Sequence, residues 1–108
     1  PYLFDGKLPD FNIGTNSGQS CSPLIETAVR TVCDDAQDYA VVTNGRFKGG
    51  WTTRHYGEPG RGLHAIQMEL AQSNYMQEQA PWHYDADKAG QLRVILAAIL
   101  QNLIRIFD

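Results

Sequence analysis

The chain has little of what marks the more specialised classes of protein. Only two of its 108 residues are cysteine, Cys21 and Cys33, and one pair at this spacing fits neither a disulfide framework nor a zinc knuckle. Charged residues make up 19% of the chain and the net charge is −3, which argues against nucleic acid or an anionic membrane as the main partner. No run approaches the roughly 20 apolar residues that span a bilayer. We expect a reduced, cytoplasmic setting, with no nucleic-acid and no membrane partner.

The short motifs that identify common catalytic sites are also missing. The three histidines, His55, His64 and His83, occur in no H-x-x-E-H or H-E-x-x-H pattern. Nothing resembles a phosphate-binding glycine-rich loop or a serine nucleophile elbow. The sequence starts at Pro1 rather than at Met, so we expect a processed chain or a piece of something longer.

What is present is an alternation of strand and helix signals over one domain, residues 1–108. A short strand is expected near Phe11–Ile13, and an amphipathic helix over residues 23–36 that starts after the cap signal Ser22 and carries Cys33 on its apolar face. The β-rich run 39–43 ends at an Asn-Gly turn. Residues 51–56 (WTTRHY) have strand propensity, with Arg54 and His55 on opposite faces.

The last two predicted elements surround the most informative part of the chain. Residues 64–71 (HAIQMELA) alternate cleanly, so His64, Ile66, Met68 and Leu70 share one strand face and Gln67 and Glu69 share the other. Asp85 or Asp87 then caps a long C-terminal helix. Its apolar stripe must pack on a sheet, which predicts an α/β fold with a final helix over one sheet face. The stripe comprises Leu92, Leu96, Ile99, Leu100, Leu103 and Phe107.

Glu69 is the first residue that requires an explanation. A lone carboxylate on a strand with apolar neighbours is costly unless it is used, and a general base is one such use. The alternative is a strand glutamate at an exposed edge, and the pattern alone favours this alternative because most isolated glutamates are solvated.

A second set of candidates lies around the glycine-rich turn at residues 48–50. Arg46 and Arg54 flank this turn, and two guanidinium groups brought together there would suit bidentate recognition of carboxylates. Either arginine alone is more simply an ordinary surface residue. The run Asn12–Gly18 could bind an anion through backbone N–H groups or form a plain turn cluster, and His64 is more simply a satisfied core histidine than a ligand.

Three long segments together resemble one known family. Residues 3–21 (LFDGKLPDFNIGTNSGQSC), 44–57 (NGRFKGGWTTRHYG) and 62–76 (GLHAIQMELAQSNYM) are similar to the N-formylglutamate amidohydrolases, also called N-formylglutamate deformylases. The resemblance covers nearly the whole chain and weakens in residues 85–108. It implies part of a zinc-carboxypeptidase-like mixed sheet flanked by helices, within α/β proteins. It also implies hydrolysis of N-formyl-L-glutamate to formate and L-glutamate, a step of histidine degradation.

The resemblance changes the interpretation of individual residues. Glu69 in QMEL occupies the motif position of the family's general base, which reverses the preference for a solvated glutamate. Arg46 and Arg54 become candidates to bind the substrate carboxylates or the oxyanion, and Asn44 to hold substrate beside Arg46. In the implied mechanism, zinc polarises the formamide carbonyl and lowers the pKa of its bound water. The family's zinc ligands belong upstream of residue 3, so we assign no metal ligand here.

Two other functions remain open at this point. A chain with this ancestry and no metal motif could be an inactive fragment or a binding half-domain, or a related amidohydrolase with a different acyl-amino-acid specificity. If partner strands are missing, one edge or face of the sheet is open to association, so we expect an oligomer or a marginally stable chain.

Overall fold

The computed structural model describes residues 6–107, which form an α/β arrangement around a three-stranded mixed sheet. The strands are β1 (Phe11–Gly14), β2 (Val41–Thr43) and β3 (Gln67–Leu70), in the order β2-β1-β3. β1 pairs in parallel with β2 and antiparallel with β3. The predicted α/β class with a mixed sheet is confirmed. Residues 3–5, the start of the first segment of family resemblance, and Asp108 lie outside the described residues.

The two long helices form where the sequence predicts them. α1 (Pro23–Asp35) has proline at its first position, whose missing N–H would have no helical partner in any case. A short α2 (Trp51–Tyr56) lies between them in sequence. α3 (Ala86–Ile106) is capped by Asp85, whose Oδ1 accepts a hydrogen bond from the Lys88 N–H at 3.0 Å. Two 3₁₀ turns, Pro59–Arg61 and Gln72–Asn74, complete the described elements.

One face of β1 forms the centre of the core. Phe11 and Ile13 are fully buried against α1 and α3, together with Val29, Cys33, Leu92 and Ile99. Their β3 partners in the antiparallel register, Leu70 and Met68, pack against the same cluster. The alternation predicted for residues 64–71 is confirmed over Gln67–Leu70, but the strand is shorter than predicted, because residues 64–66 and 71 lie outside it. α3 covers one sheet face as expected. The side chains of Asn12, Gln67 and Glu69 are left to the opposite face.

α3 is only partly covered by the described residues. Four of its large apolar side chains are more than half exposed: Val94, Leu100, Ile104 and, just after the helix, Phe107. Leu100 and Phe107 belong to the predicted packing stripe, so the stripe is narrower than expected. Among residues 6–107, α3 is the one helix long and apolar enough to cross a membrane by length and composition. This is weak support for a membrane span, because core helices pass the same test, and Leu92 and Ile99 of α3 pack in the core.

The strand predicted at residues 51–56 is wrong, because these residues form α2. Strand propensity is a context-dependent preference of about 1 kcal/mol and is easily overridden. Here Gly50 precedes the helix in an extended conformation, and the Arg54 N–H bonds the Gly50 carbonyl. The Trp51 and His55 rings then stack one helical turn apart, with centroids at 4.3 Å. The expected separation of Arg54 and His55 onto opposite strand faces therefore does not apply.

Both cysteines are buried free thiols, as expected for Cys33. Burial raises the pKa of the Cys33 thiol to about 11, with a smaller contribution from the neighbouring Asp34 carboxylate. Burial also raises the pKa of Cys21, assisted by Glu26. A raised pKa keeps both groups in the neutral, unreactive form at physiological pH. They therefore behave as small apolar core residues.

Gly14 lets the loop after β2 lie directly on the face of the sheet opposite the core. A Cβ at residue 14 would lie 2.8 Å from the carbonyl carbon of Lys48 and 2.9 Å from the Gly49 nitrogen. The Asn16 N–H donates to the Lys48 carbonyl at 2.6 Å, which holds the two segments together. The loop that carries Arg46 is thus held against β1 by a contact that only glycine permits.

Gly14→Ala is expected to lower the free energy of unfolding by about 1 to 3 kcal/mol, because the methyl group would overlap backbone atoms that cannot rotate away. Urea denaturation measures the change. Gly60→Ala is the matched control, since a Cβ at residue 60 meets nothing within 4 Å. Equal denaturation midpoints for the two variants would contradict this account of the loop.

Candidate functional site

A pocket of about 550 Å³ lies beside β3, on the side where Glu69 projects. Its walls contain two cations and two carboxylates, Lys7, Arg46, Glu69 and Glu78. The remaining lining residues are apolar or neutral: Leu8, Phe47, Leu70, Ala71, Gln72 and Ser73. A concave site with a few converging polar groups of both signs is suited to a small polar substrate. Of the four residues proposed from the sequence, Glu69 and Arg46 are brought together here.

Glu69 is fixed by contacts from two neighbouring residues on the same sheet face. Asn12 is its register partner on β1 and donates from Nδ2 to the Glu69 backbone carbonyl at 3.3 Å. Gln67, two residues earlier on β3, donates from Nε2 to Glu69 Oε2 at 3.2 Å. The side chain is only partly buried, and it lines the pocket. A carboxylate held in this way on a strand is well placed to accept a proton from a bound water.

Asn12 is a buried polar residue on β1, opposite Glu69 in the strand register. Its exposure is 1%, and Nδ2 donates to the Pro9 carbonyl at 2.8 Å as well as to Glu69. Within residues 6–107, its Oδ1 has no donor. A polar atom buried without a partner is destabilising, so Asn12 is retained at a cost on the strand that aligns Glu69.

Asn44 anchors the loop that brings Arg46 to the pocket. It has a positive φ of 55°, which asparagine tolerates better than most residues, and it directly follows β2. Its Oδ1 accepts from the N–H groups of Thr15 and Ser17 at 2.9 and 3.3 Å, and its Nδ2 donates to Thr15 Oγ1 at 2.8 Å. Both ends of the amide are therefore engaged with the loop after β1. A role for Asn44 in binding substrate stays a prediction.

Arg54 lies on α2, and its side chain is exposed. Its Nε donates to the Gly50 carbonyl at 3.4 Å, and it is not among the residues that line the pocket. The side-chain direction predicted for Arg54 assumed a strand at residues 51–56. Because these residues form a helix, that predicted direction does not apply. Its predicted role with substrate remains a prediction.

Four backbone N–H groups at residues 15–18 already donate to other protein groups. Those of Thr15 and Ser17 donate to Asn44, that of Asn16 donates to Lys48, and that of Gly18 donates to Thr15. Of the two interpretations left open by the sequence, the turn cluster is the one that this geometry supports.

The histidines do not meet at the pocket. His64 Nδ1 accepts from the Ser22 N–H at 3.0 Å, immediately before α1, so it has a structural partner as expected. His55 stacks on Trp51 at the surface. Over residues 6–107, no group of three or more histidine, cysteine or acidic side chains could hold a metal ion. The described residues therefore do not fit the zinc site that the family resemblance implies.

Two residues of the site, Gln67 and Lys7, were not singled out from the sequence as functional. Gln67 could have been found, because the alternation that exposes Glu69 places residue 67 on the same face. Asn12 was named only as part of the possible anion-binding run 12–18, and its contact with Glu69 was missed. Lys7 gave no local signal, since only the folded chain brings it to the pocket wall beside Glu69.

By its fold and site, the chain is a mixed α/β protein with a carboxylate-bearing pocket on one side of the sheet. Residues 1–76 match the family model described as N-formylglutamate amidohydrolase. The chain belongs to the N-formylglutamate amidohydrolase family.

Two curated relatives and one solved structure extend this comparison. The chain is 53% identical over 104 residues to the N-formylglutamate deformylases of Pseudomonas aeruginosa PAO1 and Pseudomonas putida. The aligned region covers 96% of this chain but 39% of each relative. A solved structure of N-formylglutamate amidohydrolase from Ralstonia eutropha JMP134 superposes with a TM-score of 0.79 at 22% identity. It covers 94% of this chain and 36% of that one, and it supports the fold.

Asn44→Ala is expected to lower the free energy of unfolding by about 1 to 3 kcal/mol, because the buried Thr15 N–H loses its acceptor. Asn44→Asp keeps an oxygen for that N–H and tolerates the same backbone conformation but loses the donor to Thr15 Oγ1, so its stability should lie between those of the parent and the alanine variant. Chemical denaturation of both variants checks this. An alanine variant of unchanged stability would show that Asn44 does not anchor the loop.

Proposed function

We propose that this chain supplies the substrate-binding and proton-transfer side of an amide hydrolase acting on N-formyl-L-glutamate. The products are formate and L-glutamate. The proposal draws on the names of its 53%-identical relatives, of which it spans 39% of the length. We propose further that the reaction belongs to histidine degradation in the cytoplasm, with a small molecule as the partner of the site.

The observation that supports this proposal most directly is the presence of Glu69 and Arg46 in one pocket. The substrate carries two carboxylates and a formamide. A guanidinium can bind a carboxylate through two parallel hydrogen bonds, which fixes the orientation of the molecule it holds. Lys7 adds a second cation to the same wall. The substrate can thus be held by its carboxylates while its formamide faces Glu69.

Glu69 acts as the base and then as the acid in this proposal. Its carboxylate takes a proton from water as the water oxygen forms a bond to the formyl carbon. The C–N bond then breaks, and the proton held by Glu69 passes to the departing amine nitrogen. The formyl carbon leaves as formate and the amine as L-glutamate, so atoms and charge balance. Arg46 or Arg54 would stabilise the oxyanion that forms between these steps.

Zinc remains part of the proposal only as a property implied by the family. Because the described side chains do not fit a metal site, we derive no step through a metal, and we expect zinc ligands outside this chain.

Two further expectations accompany the proposed activity. The chain alone could act as a binding half-domain or on a different acyl-amino acid. It could also associate as an oligomer through the exposed apolar side of α3.

Glu69→Gln is expected to lower kcat for formate release about 10²- to 10⁴-fold, because the amide cannot take the water proton. The assay uses the shortest polypeptide that contains residues 1–108 and releases formate from N-formyl-L-glutamate. Glu58→Gln is the control, since the Glu58 side chain pairs with Arg61 at the surface and does not line the pocket. Near-normal turnover in Glu69→Gln would rule out this residue as the base.

Arg46→Met is expected to lower kcat/KM about 10- to 100-fold, because a charge-assisted pair to a substrate carboxylate is lost. Arg54→Met provides the comparison, since Arg54 lies outside the pocket wall. The larger effect should fall on Arg46 and should shrink for N-formyl amino acids with one carboxylate. Equal losses in both variants would assign the two arginines equivalent roles, against the pocket geometry.

A further inference from the structure

The side chain of Gln67 bridges two parts of the site. Its Oε1 accepts a hydrogen bond from the Gly50 N–H at 2.7 Å, and its Nε2 donates to Glu69 Oε2 at 3.2 Å. The backbone donor determines which way the amide points, because only the oxygen can accept from an N–H. The NH₂ group must then face the carboxylate.

This bridge leaves the Glu69 carboxylate with two unlike oxygens. Oε2 accepts a hydrogen bond from Gln67, which restrains this oxygen and distinguishes it from Oε1. Gln67 and Glu69 are two residues apart on β3, so their side chains leave the sheet on the same face and can stay in contact. A carboxylate restrained at one oxygen presents the other in a single direction, which is what a base acting on one water requires.

The other end of the bridge reaches the loop that carries Arg46. Gly50 immediately precedes α2 and ends the segment that starts at Asn44 and includes Arg46. Gln67 thus links the strand that bears the carboxylate to the loop that bears the guanidinium. Only a side chain with an acceptor and a donor at one terminus can make this connection.

We infer that Gln67 is a positioning residue, which orients the Glu69 carboxylate and couples it to the Arg46 loop through Gly50. The inference rests on the proposed role of Glu69 as the base. It assigns Gln67 no contact with substrate. Replacing Gln67 should therefore affect the chemical step more than substrate binding.

The kinetic test uses one substitution that removes both hydrogen bonds of the bridge and one that removes only the bond to Glu69. Gln67→Met keeps the length and loses both hydrogen bonds. Gln67→Glu keeps an acceptor for Gly50 and loses the donor to Glu69. Both are expected to lower kcat about 10- to 100-fold with KM changed less than about threefold, since the base is misaligned. Gln91→Met, at an exposed position on α3, should leave both constants unchanged.

The same substitutions in the Glu69→Gln background separate this inference from the proposed function. If Gln67 acts through Glu69, Gln67→Met should have little further effect there. Turnover preserved in Glu69→Gln would overturn the proposed function. Loss of turnover in Glu69→Gln with normal kcat in Gln67→Met would overturn only the role of Gln67. An undiminished effect of Gln67→Met in the double variant would show that Gln67 acts by another route.

A second readout needs no turnover and uses the same polypeptide as the kinetic test. In NMR spectra, the side-chain NH₂ signals of Gln67 should shift in Glu69→Gln and stay in place in Glu58→Gln. Hydrogen exchange at the Gly50 N–H should accelerate in Gln67→Met and stay slow in Gln67→Glu. Unchanged Gln67 signals in Glu69→Gln, or unchanged Gly50 exchange in Gln67→Met, would show that the bridge does not form and would overturn the inference.

Discussion

The alternation of side chains along β1 is the constraint on which the rest of the structure depends. Phe11 and Ile13 face α1 and α3 and form the centre of the core, so Asn12 and Gly14 must face the other way. Hydrophobic burial on one face therefore fixes the site on the other. A shift of β3 by one residue against β1 would turn Glu69 towards the apolar core and Met68 and Leu70 away from it, and this is why the register is strongly specified.

The candidate site lies on that second face, where some residues have very close backbone contacts and one has an unpaired polar atom. Gly14 lets the loop after β2 lie against the strand, and Asn44 ties the same loop to the turn after β1. The Asn12 side chain donates from Nδ2 to the Glu69 backbone carbonyl, and its Oδ1 has no partner among the described residues. Natural sequences accept local departures from ideal packing mainly where function requires them. Their concentration around Glu69 agrees with the function proposed for it.

Much of the fold could be predicted because its signals are local and periodic. Three elements are each indicated by a pattern of neighbouring residues. These patterns are the cap and proline at the start of α1, the period-two alternation in β3 and the apolar repeat of α3. Residues 51–56 could not be predicted in the same way. Their composition favours a strand, whereas the Gly50 carbonyl and the stacking of Trp51 on His55 favour a helical turn. The competing energies are each about 1 kcal/mol or less, so context decides.

The sequence by itself determined the α/β class, the faces of β3 and, through long motifs, membership in the N-formylglutamate amidohydrolase family. It also singled out Glu69 and Arg46. Only the tertiary structure decided that these two share a pocket, that Arg54 does not line it, and that Gln67 joins Glu69 to Gly50. The physical reason is distance along the chain. Alternation and helical spacing act within one element, whereas a pocket depends on how separate loops cross the sheet, and those crossings are fixed by contacts such as that of Gly14 with Lys48.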